Sequence, residues 1–174
     1  MPSEKGVSAL VVPVPAAEPV VADWRARFDS SAAEGMPAHI TVLYPFLGEA
    51  SIPVEVRRRL LELCAAVPVL DVEFRRTARF PGVLFLAPEP ADGFRQLTRA
   101  VAEQWPQAPP YGGAFDEVVP HLTVARDVGE DALDGIEAEL ARRLPVATQL
   151  AEAGLYVFDG ERWQQRLRLP FGGD

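Results

Sequence analysis

Pro120-His121-Leu122-Thr123-Val124 repeats an earlier phrase of the chain, Pro37-Ala38-His39-Ile40-Thr41-Val42, and this repeat decides how the rest is read. The chain has two histidines, and each is followed two residues later by a threonine, with an aliphatic residue after each member of the pair. With five threonines among 174 residues, that double coincidence is roughly a one-in-a-thousand accident. Side chains alternate along a strand, so His-x-Thr is the shortest way to present a proton-transfer group and a hydroxyl on one face. In the first motif His39, Thr41 and Leu43 are expected on that face, with Ile40, Val42 and Tyr44 on the other.

Outward from the motifs, the elements fall into two similar series. Residues 7–14 are short, β-branched and closed by prolines, which is the pattern of a buried strand. Val20, Val21, Trp24 and Phe28 share one face of a helix over 17–29, with Asp23, Arg25 and Arg27 elsewhere on it. The motif strand 39–43 follows, then a helix over 53–67 whose proline is tolerated in the first turn, then a strand over 69–80. After the turn at Pro81-Gly82 come a strand over 83–87, a helix marked by Phe94, Leu97, Val101 and Trp105, and a loop from 106 to 120. The second motif strand, 121–126, precedes a helix with Leu133, Ile136, Leu140 and Leu144 on one face. Two closing strands, 148–158 and 162–169, flank the hairpin signal Asp159-Gly160. Laid side by side, the halves, about 1–81 and 82–174, read strand, helix, motif strand, helix, strand. This is an internal duplication within one two-lobed domain. Halves packed about a pseudo-two-fold axis would bring the motif strands face to face across a central cleft.

A formal net charge of −8 and a pI near 4.8 argue against long duplex nucleic acid and anionic membrane surfaces, which both need a basic face. A short or small phosphorylated substrate in a locally basic pocket remains compatible. The N-terminal stretch lacks a basic leader region and a cleavage signal, so a cytoplasmic protein is expected. The single Cys64 shares a helical face with Val56, Leu60 and Val67 and reads as a small buried hydrophobe. Arg75, Arg76 and Arg79 read as a solvated strand edge.

Displacement at a phosphodiester needs a base, an acid, and donors for the non-bridging oxygens that gain charge between them. Two His/Thr pairs supply all three from side chains, with one imidazole neutral and its partner protonated. A zinc site is the rival reading of two histidines. The chain has no third histidine, no second cysteine and no carboxylate on the His/Thr faces, so three-ligand zinc chemistry is poorly supported.

The paired His-Ile-Thr-Val and His-Leu-Thr-Val resemble the signature of the two-histidine (2H) phosphoesterases, and among them the 2′-5′ RNA ligase and cyclic phosphodiesterase group. The stretch Arg79-Phe80-Pro81-Gly82-Val83-Leu84-Phe85-Leu86 and the element order extend the resemblance over nearly the whole chain. It implies a bilobal α+β fold, with two pseudo-symmetric antiparallel sheets lining a central cleft and helices outside. It also implies catalysis without metal or cofactor by a monomer, hydrolysing 2′,3′-cyclic phosphate ends of RNA or related cyclic nucleotides, with 2′-5′ ligation as the reverse. His39 and His121 would carry proton transfer, and Thr41 and Thr123 would hold phosphoryl oxygens. Tyr44 and Arg126 stand where the family places an aromatic residue and an arginine. Strict alternation turns both away from the cleft, so they reach substrate only if the strand ends bend. The loop 106–120 ends directly at His121 and is longer than a connection needs; Tyr111 and Phe115 are its candidates for touching substrate. A nucleotide- or RNA-binding module without turnover, and a phosphodiesterase for another small phosphodiester, are the competing readings.

Overall fold

The structure, a computed structural model, describes residues 3–114 and 118–172. Its elements are β1 (Ser8–Pro13), α1 (Glu18–Phe28), α2 (Ser30–Ala33), β2 (His39–Leu43), α3 (Val54–Ala65), β3 (Leu70–Phe80) and β4 (Val83–Glu89). There follow α4 (Asp92–Gln104), β5 (Leu122–Arg126), α5 (Glu130–Ala141), β6 (Val146–Leu150), β7 (Glu152–Phe158) and β8 (Trp163–Pro170). They form two four-stranded sheets, β2-β1-β7-β8 and β5-β4-β3-β6, with every neighbouring pair antiparallel. This is the expected bilobal α+β architecture. Each motif strand is the edge of its sheet, and the two edges lie against one another.

The helices cover the outer faces. α3 packs on β8 and α4 on β2 of the first sheet, while α1 packs on β5, and α5 on β3 and β4, of the second. Leu10 and Val12 of β1, Leu84 and Leu86 of β4, and Leu60, Phe94, Leu97, Leu133 and Leu140 of the helices join one buried apolar core. Each such side chain contributes about 1.5–3 kcal/mol on burial. Cys64 lies in this core, 2% exposed, and burial pushes its thiol up to about 11. A smaller apolar cluster, Ala9, Val11, Met36, Tyr156, Phe158 and Trp163 with Tyr44 against it, covers the opposite face of the first sheet.

Two expectations need correction. The stretch 148–158 is not one strand: β6 pairs with β3 in the second sheet, and after Ala151 β7 pairs with β1 in the first. Leu150 and Ala153 are both buried in the core, so apolar patterning continues across the junction and does not mark the change of sheet. β3 is also not an edge, since it lies between β4 and β6. Its arginines bind carboxylates: Arg75 to Glu73 at 2.5 Å and Arg76 to Glu89 at 3.3 Å. Arg79 reaches Glu130 and Asp134, both at 2.7 Å, and so ties α5 to the sheet. The hairpin at Asp159-Gly160 forms as read, with Phe158 opposite Trp163 and Gly160 at φ 110°, in the region that glycine favours.

Candidate active site

The two motif strands carry the same irregularity. β1 and β2 pair as Val12 with Ile40 and Val11 with Thr41, then as Leu10 with Leu43, which leaves Val42 as an extra residue. β4 and β5 pair as Phe85 with Thr123, then as Leu84 with Ala125, which leaves Val124 extra. A bulge of this kind restarts the alternation one residue late. Val42 and Leu43 therefore both enter the core, as do Val124 and Ala125. Tyr44 and Arg126 return to the side of the histidines. Leu43 does not share the face of His39, contrary to the strict alternation expected of the strand. The Val42 carbonyl accepts a hydrogen bond from the Thr98 hydroxyl of α4 at 2.7 Å, so the bulge leaves no buried acceptor unmet there.

Each imidazole is oriented by the backbone two residues upstream. Nδ1 of His39 lies 2.7 Å from the Pro37 carbonyl oxygen, and Nδ1 of His121 lies 2.7 Å from that of Val119. A carbonyl only accepts, so Nδ1 carries the proton in both rings and Nε2 is the nitrogen left to take or give one. Burial pushes both below the usual imidazole value. His39 falls to about 4; its Pro37 bond opposes the burial, Arg25 and Arg126 add to it, and Asp29 opposes. His121 is lowered by burial against its Val119 bond, with Arg126 adding. The rings of Phe80 and Phe85 meet His121 edge to face, with centroids 5.1 and 5.4 Å away.

A cavity of about 350 Å³ is lined by His39, Thr41, Tyr44, Tyr111, His121 and Arg126, so it brings six of the eight candidate residues together. Thr123 is not among the lining residues; it is 6% exposed, and its Oγ1 accepts from Nη2 of Arg126 at 3.4 Å. Phe115 falls outside the described residues. Tyr111 adopts the left-handed conformation, φ 52° and ψ 34°, which is uncommon for a bulky side chain. Its N–H donates to the Tyr44 carbonyl at 2.6 Å, and its phenol shares a hydrogen bond with Thr41. Burial raises the phenol's pKa, while Arg126 and the Thr41 bond pull it down. The Tyr44 ring meets Trp163 edge-on at 6.2 Å.

Arg25 and Asp29 are site neighbours that sequence reading missed. Helical spacing sets Arg25 among the residues off the apolar face of its helix, yet it is 3% exposed. Its Nε bonds Asp29 Oδ2 at 3.3 Å and its Nη2 donates to the Met36 carbonyl at 3.0 Å. Asp29 Oδ1 accepts from the Ser31 backbone at 3.1 Å and from its hydroxyl at 2.8 Å, and lies 3.8 Å from Nε of Arg126. The i,i+4 spacing of Arg25 and Asp29, with the capping run Asp29-Ser30-Ser31, was the available signal. Among the described residues no group of three His, Cys, Asp or Glu side chains is placed to hold a metal. Among them, too, no helix is long and apolar enough to cross a membrane.

The family model described as the 2′-5′ RNA ligase superfamily matches residues 12–162 of the chain. E. coli LigT, in a structure complexed with 3′-AMP, is similar with a TM-score of 0.59 at 21% identity, over 97% of this chain and 99% of that one. LigT complexed with NADP+ gives 0.58 at 21% identity with the same coverage. A protein of Thermus thermophilus gives 0.56 at 20% identity, again over 97% and 99%. No curated protein matches the chain.

Proposed function

The chain belongs to the 2′-5′ RNA ligase superfamily, and from that premise we propose that it is a phosphodiesterase opening 2′,3′-cyclic phosphates of RNA ends or related cyclic nucleotides. Its acid, base and oxyanion donors are all side chains, no metal ion takes part, and 2′-5′ ligation of RNA is the reverse direction. The observation that carries the reading is one cleft lined by two imidazoles, each fixed by an Nδ1 bond of 2.7 Å, together with Thr41, Tyr111 and Arg126. Solved relatives with nucleotides bound, LigT with 3′-AMP and with ATP, suit a pocket of this kind.

In this mechanism Nε2 of His39 takes a proton from water as the water oxygen bonds to phosphorus. The bond from phosphorus to one ribose oxygen breaks, and His121 gives its proton to that oxygen, which leaves a phosphate monoester and a free hydroxyl. His39 is assigned the base because burial, with Arg25 and Arg126 adding and the Pro37 bond and Asp29 opposing, pushes it down to about 4 and so keeps it neutral and ready to take a proton. A bound phosphodiester anion favours the charged form of both rings and lets His121 hold the proton it must donate. The non-bridging oxygens receive donors from two directions. On one side the Thr41 hydroxyl and the Tyr111 phenol, joined by a side-chain hydrogen bond, line the cavity. On the other side Arg126, which also donates to Thr123 at 3.4 Å, lines the cavity and is the donor there.

The test is turnover of 2′,3′-cyclic mononucleotides and cyclic-phosphate-ended oligonucleotides in EDTA. Monoester product at a rate unchanged by chelation is expected. Loss of activity on chelation, restored by one divalent ion, would sink the mechanism. Binding of the same compounds without any turnover would leave a nucleotide-binding module instead.

A further inference from the structure

We infer that the cleft takes a substrate with a single phosphodiester anion, a cyclic mononucleotide or a compound of that size, in preference to the cyclic-phosphate end of an RNA strand. The inference rests on the phosphodiesterase reading and narrows it. A strand end brings further phosphates, and each needs a cation or a neutral wall within reach. Among the described residues, the cavity, about 350 Å³, has one arginine in its lining, Arg126, beside three carboxylates, Asp29, Glu34 and Asp127. Asp29 is already bound by Arg25 and faces Arg126; Glu34 and Asp127 remain as negative charge on the walls. Arg126 belongs to the reacting phosphoryl group, so a second phosphate would meet those walls with no arginine of the lining left for it.

Among the described residues, five strand arginines outside the cavity already have carboxylate partners. Arg75, Arg76, Arg79, Arg166 and Arg168 are each held by glutamates at 3.3 Å or less. The larger concavity, about 490 Å³ beside α5, is lined by two of them, Arg75 and Arg76, together with Glu137. At the β7–β8 hairpin, Lys5 lies against Gly160 and Arg162 against Gly35. That lip also carries Asp159 and Glu161 and adjoins Glu34, whose carbonyl accepts from Trp163 N–H at 2.7 Å. Successive phosphates of a strand lie closer together than the screening length of about 8 Å at physiological salt, so a second phosphate held in the same cavity is screened little from its acidic walls.

The experiment compares kcat/KM for a 2′,3′-cyclic mononucleotide with that for di- and tetranucleotides of the same terminal base carrying the same cyclic phosphate, at low and high salt. The mononucleotide is expected to be the best substrate, with a loss of roughly two- to fivefold on adding the next phosphate, the size of an exposed like-charge contact. Added salt should shrink the difference. Replacing Glu34→Gln and Asp127→Asn together should raise the dinucleotide's efficiency relative to the mononucleotide; asparagine also accepts the left-handed backbone of Asp127, φ 55°. Equal or better turnover of the longer compounds overturns this inference alone. An unchanged ratio in the double variant overturns the charge argument behind it. No turnover of any compound overturns the phosphodiesterase reading, and this one falls with it.

Discussion

His39 and His121 stand at the entry to the two bulged edge strands and make the same Nδ1 bond at the same length, yet they lie in different surroundings. His39 stands beside a buried ion pair, Arg25 with Asp29, and its companion hydroxyl, Thr41, is joined to a phenol. His121 stands against two phenylalanine rings, and its companion hydroxyl, Thr123, is joined to a guanidinium. Backbone geometry is repeated where the lining is not. Two copies of one strand motif thus yield two imidazoles in unlike surroundings, which is what separate roles as base and acid draw on.

The sharpest way to break this comparison is to remove each ring. His39→Gln and His121→Gln should each lower kcat by about 10²–10⁴, and the double variant should lose little beyond the worse single one, because the proposed transfers act as a unit. Strictly additive losses would mean that the motifs work independently. Next in size is Arg126→Ala, expected to lower kcat/KM by roughly 10–100-fold, as loss of a charge-assisted donor of 1.5–3 kcal/mol does. Tyr111→Phe keeps the loop and removes only the phenol, so about a tenfold fall in kcat with KM little changed is expected. A change confined to KM would reduce Tyr111 to a wall of the pocket.

The pH profile of kcat/KM should be bell-shaped and lie on the acid side of 6.5, since burial lowers both rings from there. An optimum above pH 7 would break the account. The smallest expected effect is on stability. The folded-state value of His39 is depressed to about 4, so the unfolded chain takes the proton first as pH falls. Stability is full above 6.5 and declines between 6.5 and about 4 by about 1–3 kcal/mol. His39→Gln should flatten that decline, read from urea midpoints at about pH 7 and about pH 5.

Element order, the facing motif strands and the Cys64 interior were legible because they rest on periodicities that the sequence carries locally. The bulges were half legible: Val42-Leu43 and Val124-Ala125 are consecutive apolar pairs where a half-buried strand should alternate, and Tyr44 and Arg126 follow one residue later. The strand division at Ala151 was not legible, because both sides of it are buried and the pattern alone does not name a partner sheet. Arg25 was hidden for a related reason. Its burial depends on the 29–36 segment folding over α1, and helical spacing says only where a side chain points, not what covers it.

The way the chain is shared between sheets has a consequence for its synthesis. β1 and β2 are made first, but the strands that complete their sheet, β7 and β8, lie more than 100 residues further on, at Glu152–Phe158 and Trp163–Pro170. β3 meanwhile leaves the first half to join β4 and β5. A nascent chain halted after Phe80 therefore holds two strands of one sheet and one of the other, with apolar faces unmatched. Such a fragment has no closed structure to settle into, and the two lobes must lock together late and at once.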